Sequence, residues 1–113
     1  MIRKVGDQFK LLVIIVKKGL SRKVVKACKE GGSEGGTVIQ GRGTGTHDAG
    51  TVLGVKIEPE KDVILSLVAD EEVDDVLKYV TRRANLDKPG TGIAFVINSR
   101  SVTGIAHLLK KDF

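Results

Sequence analysis

The fold of this chain is decided by the stretch Phe9-Lys10-Leu11-Leu12-Val13-Ile14-Ile15-Val16. The run is short, apolar and rich in β-branched residues, which favours a β-strand over a helix. Successive side chains of a strand point to opposite faces, so the odd-numbered residues of the run face one side and the even-numbered residues the other. From Leu11 onwards both sets are apolar. We therefore predict a central strand with neither face in water.

The other apolar patterns predict five further elements. Residues 22–30 and 73–84 carry helical stripes, and Ser21 and Asp70 are the predicted N-caps of the two helices. The stripes consist of Leu20, Val24, Ala27 and Cys28 in the first helix and of Val73, Val76, Leu77, Val80 and Ala84 in the second. Three more strands are predicted over residues 37–40, 61–69 and 93–97.

The resulting order of strand, helix, strand, strand, helix, strand predicts an α+β, ferredoxin-like βαββαβ sandwich. Its four-stranded antiparallel sheet carries both helices on one face, because right-handed crossovers place them on the same side. Two helices cover only one of the two apolar sheet faces. We therefore predict a single domain over residues 1–113 that buries its second sheet face by self-association.

Two glycine-rich segments interrupt this order. Residues 41–50 contain four glycines and follow the second strand, whereas residues 85–92 join the second helix to the last strand. Both are predicted loops, and the first is predicted to be the most mobile part of the domain. In the second, Gly90 and Gly92 would allow backbone N–H groups to converge on an anion. Residues 99–113 form a weakly patterned basic tail.

The composition is that of a soluble globular domain in a reducing compartment. The 113 residues carry a net charge of +5, with nine Lys or Arg and a single acid among residues 1–29. That basic end could attract a polyanion, although a solvated surface is the simpler interpretation. The single cysteine, Cys28, excludes an intrachain disulfide and is predicted to pack in the core. With no apolar run that could span a membrane and no signal-peptide pattern, we predict a cytoplasmic protein without membrane insertion.

No group of residues in the sequence predicts catalysis or metal binding. His47-Asp48 could form an acid–base pair, but adjacent residues in a glycine-rich loop are poorly positioned for one. The other histidine is His107, and no Cys/His cluster accompanies either of them. We therefore predict that the protein is not an enzyme, with no catalytic residues and no metal site.

Two segments of the chain, residues 36–43 and 88–96, carry a resemblance to a known family. Residues 36–43, Gly-Thr-Val-Ile-Gln-Gly-Arg-Gly, resemble the second strand of the PII signal-transduction family where it enters the long T-loop. Residues 88–96, Lys-Pro-Gly-Thr-Gly-Ile-Ala-Phe-Val, resemble its B-loop and the strand that follows. Lys61 matches the lysine that opens the family's third strand. On this resemblance, which covers residues 9–105, the T-loop spans about residues 41–60 and is shorter than in the family.

The resemblance implies a homotrimer whose helix-free sheet faces turn inward, which accounts for the second apolar face. It also implies that an adenine nucleotide binds in clefts between subunits and that the T-loop signals to a target protein, a transporter or an enzyme, in the regulation of nitrogen utilisation. The candidate nucleotide-binding residues are Gly36, Thr37, Val38, Lys61, Lys88, Pro89, Gly90, Thr91 and Gly92. The candidate partner loop consists of Arg42, Gly43, Thr44, Gly45, Thr46, His47 and Asp48.

The B-loop departs from the family pattern at its charged positions. The family usually reads Gly-Asp-Gly-Lys where this chain reads Gly90-Thr91-Gly92-Ile93, and the family's arginines fall near Thr44, Gly104 and Ala106. Hydrogen bonds to charged groups contribute about 1.5–3 kcal/mol each, so losing several of them favours a ligand with fewer phosphates. AMP or ADP is therefore expected rather than ATP as the effector, and no other cofactor is predicted.

An RNA-binding domain of the RRM kind is the alternative, because it has the same strand order. Residues 91–98 match four of the eight positions of the RRM signature. However, Ile93 and Asn98 stand where RNA binding needs exposed aromatic rings, and the matching strand is the fourth rather than the third. We therefore predict that nucleic acid is not a partner.

Overall fold

The computed structural model of the chain describes residues 8–44, 51–52, 55–56 and 59–104. Two helices and six strands are present among these residues, together with one 3-10 turn. In chain order they are β1 (Phe9–Lys17), α1 (Ser21–Glu30), β2 (Thr37–Arg42), β3 (Thr51–Val52), β4 (Val55–Lys56), β5 (Glu60–Ala69), the 3-10 turn (Asp70–Glu72), α2 (Val73–Arg83) and β6 (Gly92–Asn98).

The main sheet has four strands in the order β2-β5-β1-β6, and every neighbouring pair is antiparallel. One row across the sheet shows the register, since Thr37 pairs with Leu65, Leu65 with Val13, and Val13 with Phe95. β1 therefore lies between two neighbours, as its two apolar faces predict. The strand order and the two crossovers confirm the ferredoxin-like βαββαβ fold.

One face of the sheet packs against both helices. The buried side chains that β1 and β5 contribute to this face include Leu12, Ile14, Val16, Ile64 and Val68. They meet Val24, Ala27 and Cys28 from α1 and Val76, Val80 and Ala84 from the α2 side. Both predicted helical stripes are confirmed, and Cys28 is a core residue whose thiol pKa is raised by burial.

No helix of the described residues lies over the opposite face of the sheet. Its apolar side chains alternate with the core residues along every strand, and several are far from buried. The exposed fractions are 47% for Ile39, 57% for Ile93, 42% for Phe95 and 45% for Ile97. The second apolar face predicted from β1 is therefore real. In a single chain its side chains on the edge strands β2 and β6 are exposed, whereas Phe9 and Val13 on β1 are buried, Phe9 in contact with Val102.

Both predicted helix caps are wrong. The residue that precedes α1 is Leu20, whose carbonyl accepts the N–H of Val24 at 3.0 Å, and no side chain caps the helix. Asp70 begins the 3-10 turn, and α2 starts only at Val73. The N–H of Asp70 donates to the carbonyl of Gln8 at 2.7 Å, so this residue ties the end of β5 to the start of β1.

The predicted loop over residues 41–60 contains more regular structure than the sequence indicated. β2 continues through Gly41 and Arg42, which pair with Lys61 and Glu60. Further along, β3 and β4 form a separate two-stranded antiparallel ladder. Two-residue strands are too short to produce a recognisable apolar alternation, which is why the pattern missed them. The mobility predicted for residues 41–50 concerns mostly residues outside the described ones.

Candidate functional site

The first predicted nucleotide-binding segment lies at the start of β2, on an edge of the sheet. Gly36 and Val38 line an open groove of about 400 Å³ between β2 and α1. The α1 side of the groove carries basic residues and one apolar residue, and it consists of Ser21, Arg22, Val25, Lys26 and Lys29. Thr37 pairs with Leu65 and therefore belongs to the helix-free face instead.

The cations of this groove were not among the predicted site residues. Arg22, Lys26 and Lys29 follow one another at intervals of four and three residues, so they lie on one side of α1. The sequence did contain a signal, namely the excess of basic residues in the first part of the chain. What it could not show is that this side of α1 borders Gly36 and Val38.

The second predicted segment, residues 85–92, is a compact turn held by its own hydrogen bonds. The N–H of Lys88 donates to the carbonyl of Asn85 at 2.9 Å, and the Thr91 hydroxyl lies 2.7 Å from the Asn85 carbonyl and 2.9 Å from that of Lys88. Gly90 has φ +81°, a left-handed conformation that other residues rarely adopt. Lys88 and Pro89 are exposed beside it.

The predicted anion nest over Gly90, Thr91 and Gly92 is only partly formed in a single chain. The N–H of Thr91 is directed back to the Lys88 carbonyl at 3.4 Å. Gly92 is the first residue of β6 and pairs with Val16. A Cβ at Gly92 would lie 2.4 Å from the Ile15 carbonyl oxygen, so this glycine is needed for strand packing.

The two predicted segments do not meet within one chain. Gly36 precedes β2, and Gly92 opens β6, which are the two edge strands of the sheet. Three strand spacings separate these edges, about 14 Å in all. The two segments therefore do not contact each other directly within one chain.

The base of the predicted partner loop is a ladder rather than a free segment. After β2 ends, the N–H of Gly43 still donates to the carbonyl of Pro59 at 3.1 Å. Thr44 is exposed, and Gly45, Thr46, His47 and Asp48 lie outside the described residues.

Charged side chains concentrate where this ladder meets the turn after β1. Lys18 and Glu60 form an ion pair with 2.7 Å between Nζ and Oε2. Their hydrogen bond and opposite charges lower the pKa of Glu60 and raise that of Lys18. Lys61, the predicted nucleotide contact, lines a small pocket with them, as do Arg42 and Asp62.

No other kind of site stands out in the part of the chain that the structure describes. There, no group of three or more His, Cys, Asp or Glu is placed to hold a metal ion. No helix among residues 8–44 and 59–104 is long and apolar enough to cross a membrane. Both histidines and the last part of the predicted basic tail, residues 105–113, lie outside the described residues.

Comparison with known proteins identifies the family. The family model described as nitrogen regulatory protein P-II matches residues 9–107 of this chain. The chain belongs to the PII family. The PII fold is also seen in a solved structure, Arabidopsis thaliana PII bound to citrate, at 23% sequence identity and a TM-score of 0.63, covering 81% of this chain and 78% of that one. No curated protein matches the chain.

Membership of the PII family makes this chain a PII-like regulatory signalling protein. It also leaves the RRM-like alternative without support. The positions of the aromatic residues in the sheet are consistent with that result. RRM domains stack bases on exposed aromatic rings. Here the central strands β1 and β5 contribute one aromatic ring, Phe9, which is buried, whereas the exposed ring of Phe95 lies on an edge strand.

Proposed function

We propose that this PII protein is a cytoplasmic homotrimer that senses an adenine nucleotide in the clefts between its subunits. It reports the occupancy of those clefts through the loop of residues 41–60 to a target protein, a transporter or an enzyme of nitrogen utilisation. The observation that carries the proposal is the helix-free apolar sheet face, which calls for other copies of the chain to cover it.

The trimer is supported by the positions of the exposed apolar residues. Ile93, Phe95 and Ile97 project from the same face of β6, and Ile39 projects from that face of β2. A soluble monomer rarely leaves so continuous an apolar surface in water. A heterologous contact between edges that closes after three copies would bury this surface and leave no edge unmatched.

The nucleotide site is supported by the chemistry of the two edges. One edge offers an apolar residue, Val38, beside the basic groove of α1. The other offers Lys88 and the left-handed turn at Gly90. Joined across a subunit contact, these groups can hold an adenine ring and a short phosphate chain. AMP or ADP is favoured over ATP, because the B-loop lacks the family's charged residues.

Light scattering coupled to size exclusion tests the assembly. The expected mass is three times the chain mass of 12.1 kDa. A monomer at micromolar concentration would contradict the trimer and with it the cleft.

Calorimetry with AMP, ADP and ATP tests the nucleotide site, with citrate as a competing anion because Arabidopsis PII is known bound to citrate. Lys88→Ala should weaken nucleotide binding by about tenfold or more, since one charge-assisted contact is lost. Lys26→Ala removes a positive charge from the α1 groove and should weaken nucleotide binding in the same way. Lys78→Ala, an exposed lysine on α2, is the matched control and should bind as the wild type does. If no nucleotide binds at millimolar concentration, the site is not functional.

A further inference from the structure

The pocket at the base of the loop contains a buried carboxylate that is only half satisfied. Asp62 is 2% exposed, and its Oδ2 accepts the N–H of Gly19 at 3.0 Å. Its Oδ1 is also buried and has no hydrogen-bond partner among the described residues. A buried charged oxygen without a donor is unfavourable, so the arrangement calls for a donor from outside the chain.

The neighbouring cation, Lys18, does not donate a hydrogen bond to Asp62 Oδ1. Lys18 is held by Glu60, with 2.7 Å between their charged atoms, and both side chains are about half exposed. This ion pair stands beside Asp62 without contacting its Oδ1. Glu60 and Asp62 lie two residues apart on β5, and Gln40 and Arg42 face them across the ladder with β2.

The pocket itself has room for a small molecule. Its volume is about 160 Å³, and its lining consists of Lys18, Gln40, Gly41, Arg42, Glu60, Lys61 and Asp62. A cavity of about 150 Å³ holds a ligand the size of benzene, or several waters. Four of the lining side chains, those of Lys18, Gln40, Arg42 and Glu60, are exposed, so the pocket borders solvent.

The charges around the pocket select among the possible ligands. Lys18 and Arg42 bring two positive charges to the face of Glu60 and Asp62, which bring two negative ones, whereas Lys61 alternates to the other face of β5. A lining with balanced charges disfavours the net charge of a bare cation, and a buried carboxylate disfavours a simple anion. A molecule that carries both charges meets neither penalty. Its ammonium group would donate to Asp62 Oδ1, and its carboxylate would face the guanidinium of Arg42.

We infer that the pocket between the end of β2 and the β1–α1 turn binds a small zwitterion of α-amino-acid type, with Asp62 as the ammonium acceptor and Arg42 as the carboxylate partner. The pocket lies within one chain and next to the base of the loop. A ligand bound there would connect the end of β2 and the start of β5 to the turn between β1 and α1. The inference does not depend on the trimer or on the nucleotide cleft.

Calorimetry at neutral pH tests the site with L-alanine and L-serine, and with the two halves of the ligand, ethylamine and acetate. The amino acids should bind at millimolar concentration or better, and each half should bind at least tenfold more weakly. Asp62→Asn, which keeps an oxygen for Gly19, should lose at least tenfold in affinity. Asp74→Asn, an exposed acid on α2, is the matched control and should change nothing.

Arg42→Gln keeps the test decisive if Asp62→Asn does not fold. Arg42 is exposed, so the variant should fold, and its affinity for L-alanine should fall to that of ethylamine. The proposal of a zwitterionic ligand would be contradicted if the wild type bound ethylamine as tightly as L-alanine. It would also be contradicted if the wild type bound potassium ions as tightly as L-alanine. If no amino acid binds at about 10 mM, only water fills the pocket, and the proposal is contradicted in that case too. The molar mass and the AMP titration, measured on the same sample, show separately whether the proposed function holds.

Discussion

The two faces of the central sheet are made of the same residue types and differ in what covers them. On one face Ile14 is fully buried under α1 and α2. On the other face Ile97, on the neighbouring strand, is nearly half exposed. Apolar side chains are therefore not evidence of a core by themselves, because a core also needs a second layer to pack against.

The apolar area of the uncovered face is a source of free energy for association. Apolar area removed from water stabilises by roughly 25 cal/mol per Å². Most of the helix-covered face has already gained this within one chain, whereas the exposed edge residues of the other face can gain it only by association. In the proposed trimer the first face therefore contributes mainly to folding and the second mainly to assembly.

The largest difference is expected between matched isoleucine truncations on the two faces. Ile14→Ala should lower the free energy of unfolding by about 2–5 kcal/mol, because a cavity replaces a fully buried side chain. Ile97→Ala should have a smaller effect, and that effect should grow with protein concentration because it acts through the assembly. Chemical denaturation at several concentrations measures both. Equal losses at every concentration would show that the two faces do not differ in this way.

A charge on the open face should separate assembly from folding. Phe95→Asp places a carboxylate in the middle of β6, where a subunit contact would desolvate it. We expect the trimer mass to fall to that of one chain, with the far-ultraviolet circular dichroism spectrum retained. Asp74→Asn again serves as the control for a change of one charge. A trimer that survives Phe95→Asp would mean that this face is not the interface.

The smallest effect is expected at the ion pair that lies outside both faces. The folded state lowers the pKa of Glu60 below its usual 4.5, so any contribution of the pair is present at neutral pH and is lost as the pH falls through the lowered value. The raised pKa of Lys18 adds only a second loss at strongly basic pH. Glu60→Gln should shift the melting temperature at pH 7 barely measurably, less so in high salt, and not at all once the pH lies well below the lowered pKa of Glu60. A large shift that persists in high salt would contradict this.

Much of the fold followed from periodicity, and the misses share one cause. The stripe of Val73, Val76 and Val80 predicted a helix correctly, because burial against a layer requires that spacing. Ser21 and Asp70 were predicted as caps from their residue type, yet their hydroxyl and carboxylate do not cap the helices, because chain geometry decides which residue precedes the first turn. Gly41 was taken for a loop residue, although its pairing with Lys61 depends on a strand 20 residues away.

The candidate site was less accessible from sequence than the fold. The roles of Gly90 and Gly92 cannot be distinguished from the sequence. In the structure Gly90 forms the left-handed turn, and Gly92 allows β6 to approach Ile15. The half-satisfied carboxylate of Asp62 could not be anticipated, since its environment is assembled from β2, β5 and the turn between β1 and α1. Local patterns predict elements, whereas sites depend on distances between elements.

The ladder at the base of the loop also bears on how the protein can evolve. Arg42 pairs with Glu60, and the Gly43 N–H reaches the Pro59 carbonyl, so the chain leaves and re-enters the scaffold at adjacent points. Once its ends are held together, doubling the length of such a segment costs only about 0.6 kcal/mol in closure entropy. Insertions between these anchors that leave the β3–β4 ladder intact are therefore nearly neutral for folding. The length of the segment can be selected for reach toward a partner while the scaffold stays unchanged.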